Sequence, residues 1–257
     1  MMYAVCCVPV SPIRKEPSHA AEMTSQLLFG ERCMVTEELK DGWCKIKCRL
    51  DDYEGYCQAG QLGPVEEETY NWKNIGLTAD WASPLNYNGY LMHVPFGSSL
   101  TAVNYMQGYA KKKQMVDFKG DVWDPTEAKR DARTIRKIAF TYFNTAYVWG
   151  GRSVFGTDCS GFTQVVYKFL DVALPRDAAH QSAIGEEVDF LQQARCGDLA
   201  FFDDGEGHII HTGILLNDFE IIHAAGKVRV DKVDNHGIVN AETGERTHHL
   251  RIIKRVV

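Results

Sequence analysis

A chain of 257 residues, 45% hydrophobic, 11% aromatic and 24% charged, exceeds one average domain and holds enough apolar material for real cores, which excludes wholesale disorder. Its net charge of −6, with no long Lys/Arg tract, excludes a surface built to track phosphates, so no nucleic-acid partner is expected. No stretch approaches the roughly 20 apolar residues of a membrane-spanning helix, so no membrane partner is expected either.

Residues 1–10 are mildly apolar but lack the basic start and sustained apolar core of a secretory leader, and Pro9 and Pro12 interrupt the stretch; a first strand is expected there. Six of the eight cysteines (Cys6, Cys7, Cys33, Cys44, Cys48, Cys57) fall in the first 57 residues. Cys6 and Cys7 are adjacent, and Cys44 and Cys48 lie on a strand-like run. That pattern favours small core residues over a disulfide framework. Reduced thiols without a leader point to the cytoplasm, or to the periplasm if the sequence is a trimmed mature form.

Short strands are expected over 3–8, 32–37 and 43–48, the last after the Asp41-Gly42 turn, with the pattern ending at Gly63-Pro64. About 60 residues of such strands predict a small, partly open barrel over 1–63. An acidic run, Glu66 to Glu68, opens a second region, 64–123. It has β-prone pieces at 90–94 and 100–105 and a solvated turn at Lys111, Lys112 and Lys113, and a second, divergent barrel is expected there. At Asp124 the period changes: Ile135, Ile138, Ala139 and Tyr142 share one helix face, with Asp124 or Thr126 as cap. A second helix is expected to begin at Cys159 and bury Phe162, Val165, Val166 and Phe169. Strands should follow at 198–202, 211–216, 219–224, 227–233 and 250–257. Helices followed by antiparallel strands make 124–257 an α+β domain.

Chemistry concentrates at Tyr147-Val148-Trp149-Gly150-Gly151 and Asp158-Cys159-Ser160-Gly161. A cysteine at a helix start meets unpaired N–H groups and a partial positive charge, which lower its pKa and favour the nucleophilic thiolate. An isolated Cys is more often structural, but the flanking glycines and polar neighbours weigh against that here. Histidine suits the proton partner. His211 opens one strand and His223 closes the next, with the Asn217-Asp218 turn between, so a hairpin brings both imidazoles to one end. His211 is then the base and His223 its orienting group, although either alone would more often be structural. Metal binding by His208, His211, His223 and Cys159 ranks lower, because no paired ligand spacing supports it.

These residues resemble the NlpC family (NlpC/p60) of papain-like cell-wall cysteine peptidases: Tyr147 to Gly151, Asp158 to Gly161, Arg195 to Leu199, His211 to Ile214 and Ile222 to Ala224, in family order, with 52 positions from Cys159 to His211 and 12 from His211 to His223. At the front, Leu27 to Glu31, Asp41 to Trp43, and Gly55-Tyr56 before Gln61-Leu62 resemble a bacterial SH3-like domain. Two such domains, 1–63 and 64–123, ahead of an NlpC domain is the layout of the YkfC-type γ-D-glutamyl-L-diamino-acid endopeptidases, also called dipeptidyl-peptidase VI. The resemblance implies an α+β, papain-like catalytic domain with a Cys159, His211, His223 triad and neither metal nor cofactor. It implies a monomer that hydrolyses the γ-D-Glu–diamino-acid bond of small murein peptides with a free N-terminal L-Ala, in cell-wall recycling. Carried over residue by residue, Tyr147, Trp149, Asp158, Ser160 and Asp177 line the cleft, with Arg176-Asp177 alternatively a surface ion pair. Tyr53 and an acid, Glu22 in preference to Glu31, meet the substrate ammonium. His180 and Gln181 stand where relatives carry other polar residues. The alternatives are a wall-binding adaptor with a vestigial catalytic domain, and an acyltransferase or amidase on the same core.

Overall fold

Short strands and tight turns dominate the first half of the chain, because β-branched, aromatic and Cys residues there are punctuated by Gly, Asp and Pro. The computed structural model describes residues 2–73, 76–100 and 116–257. Two compact units form, Met1–Glu127 with Trp149–Phe155, and Ala128–Val148 with Gly156–Val257.

In the first unit, β1 (Met2–Cys6), β2 (Val10–Arg14), β3 (Met23–Leu28), β4 (Arg32–Glu38), β5 (Trp43–Cys48), β6 (Glu54–Gln58) and β7 (Leu62–Pro64) make a seven-stranded sheet in the order β3-β2-β6-β5-β4-β1-β7. The β4–β5 hairpin turns at Asp41 (φ 58) and Gly42 (φ 75), two successive left-handed residues whose twist matches the flanking strands. Inside pack Ile13, Leu27, Ile46 and Leu62, together with Cys6, Cys33, Cys44, Cys48 and Cys57. All eight cysteines of the chain are free thiols.

The acidic run opens a short helix, α1 (Glu67–Asn71), with Glu67 and Glu68 in its first turn, where carboxylates complement the helix dipole. Then come β8 (Leu77–Thr78), β9 (Ala82–Tyr87), β10 (Tyr90–Pro95), β11 (Val116–Asp117) and β12 (Val122–Trp123). Among the described residues these form two small sheets, β10-β9-β11 and β12-β8. The strand expected at 90–94 is β10. The one expected at 100–105, beyond Leu100, and the Lys111, Lys112, Lys113 turn lie outside the described residues.

In the second unit, α2 (Ala132–Phe140) buries Ile135, Ile138 and Ala139, with Tyr142 buried just beyond its end. Its cap is Asp131, whose side chain accepts the Thr134 N–H, and not Asp124 or Thr126. Asp124 instead accepts from the Thr126 N–H and hydroxyl in a separate turn. The chain passes through β13 (Arg152–Ser153), which belongs to the first unit, and then β14 (Gly156–Thr157) precedes α3 (Cys159–Lys168), all ten residues of which are buried. After α4 (Ala178–Gln181) and β15 (Glu186–Glu187) come β16 (Leu199–Asp203), β17 (Ile209–Leu215), β18 (Glu220–Ala225), β19 (Lys227–Asp234), β20 (Gly237–Val239) and β21 (Arg246–Arg255). The expected run of strands is here a closed ring: β21-β16-β17-β18-β19-β20 returns to β21, a six-stranded antiparallel barrel. Ala200, Phe202, Leu215, Ile221, Val233, Ile238 and Ile253 form one core cluster of that barrel, and α3 packs on β17 and β18. Among the described residues no helix is long and apolar enough to cross a membrane.

Candidate active site

Strand register decides which side chains meet. Gly213 of β17 pairs with His223 of β18, and His223 pairs with Arg229 of β19. Because side chains alternate along a strand, His211 and Gly213, His223 and Ile221, and Arg229 and Asp231 all share one face. It is the face that continues along the strands into the Leu215, Ile221 and Val233 core. At this end of the barrel the imidazoles meet: His211 Nε2 lies 2.8 Å from His223 Nδ1, and His223 Nε2 lies 3.0 Å from Asp231 Oδ2. Arg229 and the Ala241 N–H hold the other edge of that carboxylate, at 3.1 and 2.8 Å to Oδ1.

Burial drives His211 well below the usual histidine range, and the neighbouring His223 and His248 add to it. His248, on β21, stacks on His211 with ring centroids 4.2 Å apart, and burial brings it down to about 4. Burial also opposes ionisation of Asp231. The hydrogen bonds from His223, Ala241 and Arg229 outweigh it and hold the carboxyl at about 2. The end of the barrel therefore carries neutral His211 and His248 beside one fixed carboxylate.

Cys159 is the first residue of α3, and Asp158 caps the helix by accepting the Gly161 N–H at 2.7 Å. Cys159 is buried, 7% exposed, and its sulfur takes a hydrogen bond from the Thr212 backbone, one residue past His211. The lowered thiol pKa argued from the helix start does not hold. Burial pushes Cys159 up to about 11 and Asp158 adds to the rise, while Thr212, Arg176 and Ser160 work the other way. One helix turn does not offset the desolvation of a nearly enclosed thiolate.

Asp158 does more than cap. Buried Arg176 donates through Nη1 to Asp158 Oδ1 at 3.0 Å and to Ser160 Oγ at 2.9 Å, and through Nη2 to Asp158 Oδ2 at 2.5 Å. Arg176 is thus an internal pin of the Asp158–Ser160 turn, not half of a surface ion pair with Asp177. Asp177 is half exposed and faces His180 at 3.6 Å. Gln181 is fully buried and donates to the Ser160 and Pro175 carbonyls. Tyr147 is half-buried, and burial lifts its phenol to about 12, with the Cys159 charge adding to the rise.

The remaining candidates lie in the first unit. Trp149, exposed, donates from its indole to Glu22 Oε1 at 2.8 Å. Glu31 is buried and accepts from Arg152 at 2.7 and 3.1 Å and from the Leu28 N–H at 2.9 Å. Of the two barrel acids, Glu31 is thus built into the interior, and Glu22 faces solvent. Tyr53 is half-buried against the barrel core.

Sequence reasoning passed over Asp231, Arg229 and His248. A signal existed for the first two: charged residues alternating with Val228 and Val230 on the strand after His223, in a position to face it. Among the described residues, the group of metal-type ligands within 4.8 Å of one another is exposed Asp204, Glu206 and His208. It leaves out Cys159, His211 and His223.

Comparison with known proteins agrees with this geometry. The NlpC/P60 family profile matches residues 144–247, and the bacterial dipeptidyl-peptidase Sh3 domain profile matches residues 13–62. A γ-D-glutamyl-L-lysine dipeptidyl-peptidase of Bacillus subtilis is 28% identical over 214 residues, 78% of this chain and 71% of the relative. Dipeptidyl-peptidase 6 of Lysinibacillus sphaericus is 25% identical over 259 residues, 91% of this chain and 92% of that one. The crystal structure of an NlpC/P60 family protein from Bacillus cereus superposes with a TM-score of 0.77 at 18% identity, covering 99% of both chains, which establishes a shared fold. With both profiles matched and a cysteine at the head of its helix, the chain carries an NlpC/P60 domain over residues 144–247, which marks it as a cysteine peptidase, behind a bacterial dipeptidyl-peptidase SH3 domain over residues 13–62.

Proposed function

We propose that this chain hydrolyses the bond between γ-D-Glu and the diamino acid of small murein peptides with a free N-terminal L-Ala, releasing L-Ala-γ-D-Glu. The observation that carries the reading is the 2.8 Å contact of His211 with His223, with the Cys159 sulfur hydrogen-bonded to the Thr212 backbone one residue along the same strand. His211 takes the thiol proton as sulfur attacks the γ-glutamyl carbonyl, then gives it to the leaving amine. Water, deprotonated by the same imidazole, hydrolyses the thioester. The oxyanion is met by the backbone N–H at the start of α3 and by Tyr147.

Within this reading Asp158 and Ser160, pinned by Arg176, shape the substrate side of the nucleophile turn, and Trp149 and Asp177 contribute to substrate contacts. Glu22, with Tyr53, recognises the ammonium, because its carboxylate is exposed whereas Glu31 is committed to Arg152. A papain-like core over 124–257, an SH3-like barrel over 1–63 with a divergent one over 64–123, and work in the cytoplasm complete the proposal.

Mass spectrometry of L-Ala-γ-D-Glu-diaminopimelate digestion, beside an N-acetylated control and a Cys159→Ala enzyme, tests it. L-Ala-γ-D-Glu should form only from the free-amine peptide and only with Cys159 present. Equal cleavage of the acetylated peptide would remove the amine requirement, and product from Cys159→Ala would remove the nucleophile.

A further inference from the structure

The two-histidine contact leaves a question of tautomers. Two imidazoles 2.8 Å apart form one hydrogen bond, and its direction decides which nitrogen of His211 is left with a lone pair. We infer that Asp231 is a positioning residue that sets this direction, so that His211 keeps its Nδ1 lone pair available for the Cys159 proton; the inference rests on the catalytic roles proposed above for Cys159, His211 and His223.

Each atom follows from the one before. Asp231 is fixed on four sides: Oδ2 lies 3.0 Å from His223 Nε2 and 2.9 Å from Arg229 Nε, and Oδ1 accepts from Arg229 Nη2 at 3.1 Å and the Ala241 N–H at 2.8 Å. A carboxylate only accepts, so an imidazole of His223 that holds one proton carries it on Nε2 and leaves Nδ1 bare. A bare Nδ1 only accepts, so His211 donates to it from Nε2 and its own Nδ1 is bare. One carboxylate three groups from the sulfur therefore orients both rings.

Arg229 keeps that carboxylate from turning. It is also braced by Asn240 at 3.0 Å and Glu242 at 3.3 Å. The charged and titratable groups facing the histidine pair are Asp231 and Arg229 of β19, His248 of β21, and Glu242 behind Arg229. Of these, Asp231 is the one that touches a ring nitrogen of the pair and can only accept.

Asp231→Asn separates this role from plain support. With its oxygen kept toward Ala241, the amide presents N–H to His223 Nε2, which moves the His223 proton to Nδ1, reverses the bond to His211, and puts a proton on His211 Nδ1, the atom proposed to take the thiol proton. The expectation is a fall in kcat on the order of 10²–10⁴-fold with KM changed little. The loss should shrink at alkaline pH, and activity should return in part in Asp231→Glu. ¹⁵N NMR of the imidazoles should show His211 protonated at Nε2 in the parent and at Nδ1 in Asp231→Asn.

Native kcat in a folded Asp231→Asn enzyme, or His211 protonated at Nδ1 in the parent protein, would overturn the inference. The second reading needs no variant and stands if Asp231→Asn does not fold. Loss of the parent catalytic reading would show separately, as product formation by Cys159→Ala, and would leave the NMR result unaffected.

Discussion

A thiol held at about 11 beside an imidazole held well below its usual range is a neutral pair at pH 7, with the proton still on sulfur. In the proposed mechanism, proton transfer then accompanies substrate attack instead of preceding it. The sign is open to direct measurement: with the Cys159 pKa raised, the thiolate fraction rises about tenfold per pH unit until pH approaches 11. Alkylation of Cys159 by iodoacetamide, followed by peptide mapping, should accelerate about tenfold per unit from pH 6 to 9. A rate already flat across that range would mean a resting thiolate–imidazolium pair. Local residue patterns placed Cys159 at a helix start and brought His211 and His223 together, as they stand in the structure, because a helix start and a hairpin are short-range features. They did not reach the thiol's burial, which comes from the packing of α3 on β17 and has no counterpart in the sequence around Cys159.

At the scale of elements, the β17–β18 hairpin is the piece on which the site depends. Asn217 closes it by accepting the N–H groups of Phe219 and Glu220, which is why the Asn-Asp pair was a readable turn. Gly213 opens room in it. A Cβ there would stand 2.7 Å from His223 Cβ and 2.8 Å from Ile221 Cδ1, so one methyl group would press the imidazole away from His211. Gly213→Ala should cost about 1–3 kcal/mol by overpacking and lower kcat more than it raises KM. Urea unfolding and steady-state kinetics check the two halves, and a variant matching its parent in both would show that the hairpin absorbs the methyl. Asp231 was hidden for a related reason: its alternation with Val230 was visible, but that β19 lies beside β18 is a pairing fact of the folded barrel. The closure of that barrel through β20 and β21 was equally out of reach, since nothing local marks strand 246–255 as the partner of both 199–203 and 237–239.

For the molecule as a whole, the chain does not run through its two units once. It leaves the second after Val148, gives Trp149–Phe155 to the first, and returns at Gly156, three residues before Cys159. That excursion is anchored inside the first unit. Arg152 is 3% exposed, donates to Glu31 and to the Gln26 carbonyl, and takes the Gln26 side chain on its N–H. Gly150, at φ 75, sits where a Cβ would meet the Met23 carbonyl oxygen at 2.4 Å. Removing one partner of a buried ion pair leaves the other charge without compensation, which costs about 3–5 kcal/mol. All five tryptophans (Trp43, Trp72, Trp81, Trp123, Trp149) belong to the first unit, so indole fluorescence follows that unit alone. In the full chain, Glu31→Ala should lower the urea midpoint read by tryptophan fluorescence and should speed tryptic cleavage after Arg152, which the parent protects by burial. An unchanged midpoint with Arg152 still resistant would mean that Gln26 and the backbone hold the segment without the acid. The anchoring role would then pass from the ion pair to the close approach at Gly150.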